Sequence, residues 1–225
     1  MKPPRMHTPL RIAVLASGAG SNLQALIDAI ATGTLRAQIV GVFSDKPACA
    51  ALARAQTACI PTVARSPKAF AGREAFDSAF FTDVDAAHAD LIVCAGYMRI
   101  ISAAEVRARP NRMINLHPSL LPAFKGLHTH QQALDAGAAE HGASVHVVTA
   151  ELDDGPVLAQ ARVPVQPDDD AAALAARVRA VEHPLLVATV ALIADGQLQL
   201  EADGPNLNGA PLRAPLQLAA NHGLA

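Results

Sequence analysis

Apolar residues recur along this chain in two rhythms. Short unbroken runs alternate with stretches in which apolar positions return every three or four residues. "LRIAVLA" at residues 10–16 is of the first kind, bounded by turn signals, as a strand buried on both faces requires. "LQALIDAIATG" follows at 23–33, with Leu23, Leu26, Ile27 and Ile30 in helical spacing and Gly33 as the stop. The pair then repeats, "AQIVGVFSD" (37–45) predicting a strand and "CAALARAQTA" (49–58) a helix. "REAFDSAFFTDVDAAHAD" (73–90) predicts a third helix and "LIVCAGY" (91–97) a third strand. "SAAEVRARP" (102–110) reads as a short helix closed by Pro110, "RMINL" (112–116) as a short fourth strand, and "THQQALDAG" (129–137) as another helix.

The rhythm changes after this point. "ASVHVVTAELDDGPVLAQARVPV" (143–165) reads as two extended segments around a turn, in antiparallel pairing. Asp168, Asp169 and Asp170 stand where they cap a long helix reaching Asp195, and "GQLQLEADG" (196–204) suggests a closing strand. The expected fold is α/β: a single-domain, doubly wound, mostly parallel sheet with an antiparallel extension. No repeat or low-complexity linker divides the chain, so one domain is expected over residues 10–225, behind a loose tail at 1–9. That tail lacks the apolar centre of a signal peptide.

Composition narrows the function. Charged residues are 17% of the 225 and the formal net charge is −2, so no basic field draws nucleic acid. With no Trp and one Tyr, a base-stacking surface is not expected either. The longest apolar run, "LLVATVALIA" at 185–194, is too short to span a bilayer. Cys49, Cys59 and Cys94 are odd in number and not closely paired, which suits reduced thiols in a cytoplasmic protein.

Chemistry-bearing residues gather at the predicted carboxyl ends of strands, where ligands bind in such sheets. "SGAGSN" (17–22) joins the first strand to the first helix. Gly18 and Gly20 let backbone N–H groups approach an anion, Ala19 lies between them, and Ser21 and Asn22 add side-chain donors at a helix N-terminus. A dinucleotide fingerprint would place a third glycine at position 23, where Leu23 stands, although Asp45 could mimic its ribose-binding acid. The remaining alternative is an ordinary capped turn. Asn115 and His117, two apart at the end of the fourth strand, point the same way, and Pro118 and Pro122 restrict the backbone around them. "ELDDGP" (151–156) is turn-forming by composition and gains a function only if Asp153 or Asp154 reaches His117. His128 and His130, with His141 and His146, raise a metal reading, but no Cys or Glu pattern completes a shell and no metal is expected. Glu182 precedes Pro184, which is expected to interrupt the long helix and turn Glu182 toward the cleft; a solvated helix carboxylate is the alternative.

Together, "SGAGSNLQALID", "AGYMRI", "INLHPSLLPAFKGLHTHQQAL", "GASVHVVTAELDDGPV" and "RVRAVEH" resemble the folate-dependent glycinamide ribonucleotide formyltransferases of purine synthesis, from Arg11 to about Gly196. The resemblance implies a formyltransferase-like Rossmann variant acting on small molecules, as a monomer or homodimer, with 10-formyltetrahydrofolate as co-substrate and no metal. It implies Asn115, His117 and Asp153 as the catalytic group. Gly18, Ala19, Gly20, Ser21, Asn22 and Glu182 would bind the phosphoribosylglycinamide acceptor. The folate pocket would take Arg73 and the run Tyr97, Met98, Arg99, Ile100 and Ile101, with Asn115. Its other wall would be Val147, Val148, Thr149, Ala150, Glu151, Leu152 and Asp153. Asp154 departs from the family pattern, where Gly is frequent, and adds a charge beside Asp153. Among other readings, a deformylase or a tRNA formyltransferase shares the Asn-His-Asp chemistry but usually carries a further domain. A nucleotide-binding module would have no use for all three residues, and a pyridine-nucleotide dehydrogenase is opposed by Leu23.

Overall fold

The computed structural model describes residues 8–225, so most of the expected tail lies outside the described residues. Alternation of strand and helix begins as the apolar rhythm predicts: β1 (Leu10–Leu15), α1 (Ser21–Ala31), β2 (Ala37–Ser44), α2 (Ala50–Thr57). A three-residue strand β3 (Thr62–Ala64) and one 3-10 turn (Pro67–Ala69) lead to α3 (Arg73–Ala86). Then come β4 (Leu91–Cys94), α4 (Ala103–Arg107), β5 (Met113–His117) and α5 (Thr129–Asp135). β6 (Glu140–Val147) and β7 (Val157–Pro164) form the antiparallel pair, and α6 (Ala171–Ala194) is the long helix, its first turn capped by the Asp170 carboxylate accepting from Ala173 N–H at 2.7 Å. β8 (Leu198–Glu201), β9 (Gly204–Leu207), β10 (Ala210–Pro211) and β11 (Leu216–Gln217) complete the chain.

The main sheet has eight strands in the order β11-β7-β6-β5-β4-β1-β2-β3. β3, β2, β1, β4 and β5 run parallel, β6 is antiparallel to both its neighbours, and β11 lies parallel to β7. Side chains of β1 alternate between two apolar layers, which is why its residues 12–15 are all hydrophobic. Ile12 and Val14 meet Leu23, Leu26, Leu174 and Leu185 on the face of α1 and α6, whereas Ala13 and Leu15 meet Phe76, Phe80 and Val106 on the face of α3 and α4.

Three expectations need correction. β4 stops at Cys94 instead of Tyr97, because Gly96 at φ 77° turns the chain out of extended geometry. Pro184 does not interrupt α6, which runs unbroken to Ala194. The missing hydrogen bond costs roughly 3 kcal/mol, and burial of Leu174, Val178, Leu185, Leu186 and Val190 offsets it at about 1.5–3 kcal/mol for each large apolar side chain. β8 exists but does not close the main sheet. It pairs with β9 in a separate three-stranded sheet, and β11 forms the main sheet's edge.

Registry sets the site. Leu15 pairs with Cys94 and Cys94 with Asn115, so β1 and β4 end level and β5 runs two residues further, to His117. Strand order reverses at β1, with β2 on one side and β4 on the other, the kind of switch point where doubly wound sheets open a crevice.

Candidate active site

At that edge lies a cavity of about 590 Å³, walled by the segments after β4 and β5, the segment leading into α5, and the turn after β6. Asn115 and His117 come from the end of β5, Asp153 from the β6–β7 turn, Asn22 from the first turn of α1 and Glu182 from α6. Asn115 lies opposite His146 in the antiparallel ladder, and its amide nitrogen sits 3.1 Å from His146 Nε2. His146 Nδ1 is 3.0 Å from the Val147 carbonyl, so Nδ1 carries the hydrogen and Nε2 accepts from Asn115. Burial lowers the His146 pKa, partly opposed by the Asp153 carboxylate, which keeps the ring neutral and ready to accept. One amide hydrogen of Asn115 is thereby tied and the other is left to face the cavity.

His117 is 5% exposed. Its Nδ1 lies 3.4 Å from Asp153 Oδ2 and its Nε2 3.0 Å from the Phe124 carbonyl. Both nitrogens face oxygen acceptors, so the ring can donate to either side. Asp153 adopts φ 49°, and its Oδ2 also accepts from Gly126 N–H at 2.9 Å. This answers the turn reading: the residue sits in a turn and its carboxylate reaches the histidine. Asp154 points elsewhere, paired with Lys125, so its charge is neutralised at the rim.

The "SGAGSN" loop closes tightly against α2. Gly20 adopts φ 73°, and a Cβ there would lie 2.7 Å from Ala51 Cα, so only glycine fits. The Gly18 carbonyl accepts from Ala51 N–H and the Ala19 carbonyl from Arg54 Nε, at 3.1 and 2.8 Å. In a trans peptide the following N–H points opposite to its carbonyl, so the Ala19 and Gly20 N–H groups turn away from α2. No side chain caps α1, which sets aside the capped-turn alternative. Asn22 Nδ2 reaches Glu182 Oε2 at 3.2 Å, and its Oδ1 is buried without a partner.

Met98, Ile100, Leu127 and Leu152, which among the described residues are the large apolar side chains with half or more of their surface exposed, all line this cavity. Tyr97, Arg99, Ile101, Val148, Thr149, Ala150 and Glu151 line it as well, and the Arg99 guanidinium lies 4.6 Å from the Phe76 ring centre. Gly18, Ala19, Gly20 and Ser21 are not among the lining residues, although Asn22 beside them is. Arg73 is exposed at the start of α3 and Val147 is buried in β6, both outside the lining.

Several lining residues were not singled out for this role by sequence: Gly126, Leu127, His128, Thr129, His130 and above all His146. A histidine in the middle of an apolar strand was the available signal, but its partner depends on a ladder register that spacing alone does not give. His130 and His141 face each other, Nδ1 to Nε2 at 3.1 Å, and burial lowers the pKa of both, that of His141 to about 4. Among the described residues no group of three or more His, Cys, Asp or Glu side chains is placed to hold a metal. Cys94 lines the cavity with its thiol pushed up to about 12 by burial, which makes it a poor nucleophile. Asp45 does not play a ribose-binding part: it is 6% exposed and accepts from Ser17 Oγ at 2.5 Å. Among the described residues no helix is long and apolar enough to cross a membrane.

Asn115, His117 and Asp153 thus meet at the switch point of a doubly wound sheet, the place where such sheets hold small-molecule ligands. Residues 10–190 match the formyl transferase family, and the chain belongs to it. It is 45% identical to the phosphoribosylglycinamide formyltransferase of Escherichia coli strain K12 over 203 residues, 90% of this chain and 96% of that protein. The trifunctional purine biosynthetic protein adenosine-3 of Drosophila melanogaster is also 45% identical, over 188 residues that cover 83% of this chain but only 14% of that protein. The solved phosphoribosylglycinamide formyltransferase of Coxiella burnetii superposes with a TM-score of 0.85 at 42% identity, covering 96% of this chain and 98% of that one.

Proposed function

We propose that this enzyme transfers the formyl group of 10-formyltetrahydrofolate to the amine of 5′-phosphoribosylglycinamide, a step of de novo purine synthesis. The observation that carries the reading is the convergence of Asn115, His117 and Asp153 in one cavity, between the "SGAGSN" loop and the apolar rim. The acceptor's phosphate meets the outward N–H groups of Ala19 and Gly20, with Ser21 and Asn22 adding donors, and Glu182 meets the sugar and glycinamide end. The folate lies along residues 97–101 and 148–152, its aromatic body against Met98, Ile100, Leu127 and Leu152.

Attack of the amine on the formyl carbon forms a C–N bond and places negative charge on the formyl oxygen. The free amide hydrogen of Asn115 stabilises that oxyanion, and so does His117 once Nε2 exchanges the Phe124 carbonyl for it. Asp153 holds the imidazolium that does this. His117 gives its proton to the folate nitrogen as the bond from that nitrogen to carbon breaks, and the neutral imidazole then takes back, directly or through water, the proton that the attacking nitrogen loses.

Ultraviolet absorbance of the folate tests the reading. Turnover should require phosphoribosylglycinamide. Equal turnover without acceptor would make the enzyme a deformylase, and nicotinamide-linked absorbance changes would make it a dehydrogenase.

A further inference from the structure

Ser17 is the first residue of the acceptor loop and is 3% exposed. Its hydroxyl donates to Asp45 Oδ1 at 2.5 Å and accepts from Met98 N–H at 2.9 Å. Its backbone N–H donates to the Gly96 carbonyl at 3.0 Å. One buried side chain therefore spans two segments: the loop after β1, read above as the phosphate cradle, and the loop after β4, which walls the apolar part of the cavity. A hydroxyl has one hydrogen, so donation to Asp45 leaves a lone pair as the only way to bind Met98 N–H. Asp45 thus fixes the direction of the contact. Fixing Met98 N–H also fixes the plane of its peptide, with the Tyr97 carbonyl turned away from Ser17.

On the functional reading above, we propose that Ser17 is a positioning residue that couples the acceptor site to the folate site, with Asp45 holding its hydroxyl in place. A phosphate bound by residues 19–22 restrains the loop that begins at Ser17. Ser17 passes that restraint to Met98, so each ligand finds the other's loop already ordered, and by linkage the effect is reciprocal. Asp77 is the internal control. It is 1% exposed and accepts from Ser102 N–H at 2.8 Å, pinning the far end of the same folate loop without touching the acceptor loop.

Calorimetric titration with tetrahydrofolate and phosphoribosylglycinamide, a pair that cannot react, reads the coupling as the ratio of folate affinities with and without acceptor. The intact protein should show a ratio of about fivefold or more. Ser17→Ala should bring it to about one, and Asp45→Ala, which leaves the serine but unties its hydroxyl, should do the same. Asp77→Ala should weaken folate binding and leave the ratio standing. Thermal midpoints identify any variant that has lost its fold, and the two routes to the same loss keep the test decisive. A ratio near one in the intact protein with both ligands bound, a ratio retained in Ser17→Ala, or a ratio lost in Asp77→Ala would each overturn the coupling. If neither ligand binds the intact protein, the functional reading itself fails.

Discussion

Asp153→Asn removes one charge and almost no volume, and its effect follows from where that charge sits. The carboxylate is 9% exposed and 3.4 Å from His117 Nδ1. At an effective dielectric of about 20, the attraction between unit charges at that separation is about 5 kcal/mol. Desolvation of both ions offsets much of that attraction, but removing one partner leaves the other ion uncompensated, at a cost of roughly 3–5 kcal/mol when both are charged. If the imidazolium matters as the oxyanion donor, kcat should fall by about 10²- to 10⁴-fold. The fold should survive. Asparagine tolerates the left-handed φ of 49°, and its amide oxygen can still accept from Gly126 N–H. Asp154→Asn is the comparison, since it breaks only the exposed pair with Lys125, of a kind worth about 1 kcal/mol or less. Steady-state kinetics and thermal midpoints of both variants decide the matter. Similar losses of activity in the two, or a loss of stability in place of rate for Asp153→Asn, would refute the assigned role.

Ser21→Ala and Asn22→Ala should each weaken phosphoribosylglycinamide binding about 10-fold or more and leave folate binding near its original value; unchanged acceptor affinity in calorimetry would remove the phosphate reading of the loop. Gly20→Ala forces both a strained φ and a Cβ 2.7 Å from Ala51 Cα, so urea unfolding should show a loss of about 2–4 kcal/mol, and a neutral substitution would mean that the loop does not close on α2 this way. His141 is depressed to about 4 in the folded state from an ordinary value near 6.5, so between those values only the unfolded chain binds the proton and stability falls as pH drops. His141→Leu should flatten that fall in urea titrations between pH 6.5 and 4; an unchanged slope would show that His141 is not its source.

The sheet was legible where burial is two-sided. Residues 12–15 of β1 and 39–43 of β2 carry no polar side chain because these strands lie between two apolar layers, and Asn115 and His117 stood out in β5 as polar exceptions. β3 was not legible, since three residues after a proline carry no periodicity, and neither do the four residues of β9 or the two each of β10 and β11. Pro184 misled because a local rule against helical proline was overridden by the buried residues flanking it. From spacing alone, the carboxylate that reaches His117 was legible only as one of two adjacent aspartates; Asp153, with its left-handed backbone, pairs with His117 while Asp154 pairs with Lys125. His146 escaped because its meaning lies in a cross-strand pairing with Asn115 rather than in its neighbours along the chain. Asp45 was noticed for the wrong partner, a ribose, when the hydroxyl of Ser17 was already holding it.

In the proposed reaction, formyl moves from folate to the acceptor amine within this cavity. Supplying 10-formyltetrahydrofolate labelled with carbon-13 at the formyl carbon, together with phosphoribosylglycinamide, and reading the products by mass spectrometry follows that carbon directly. The label should appear in formylated phosphoribosylglycinamide in step with the tetrahydrofolate released, and His117→Ala should suppress both together. Label recovered as free formate, or folate turnover that continues at full rate without acceptor, would contradict the claim.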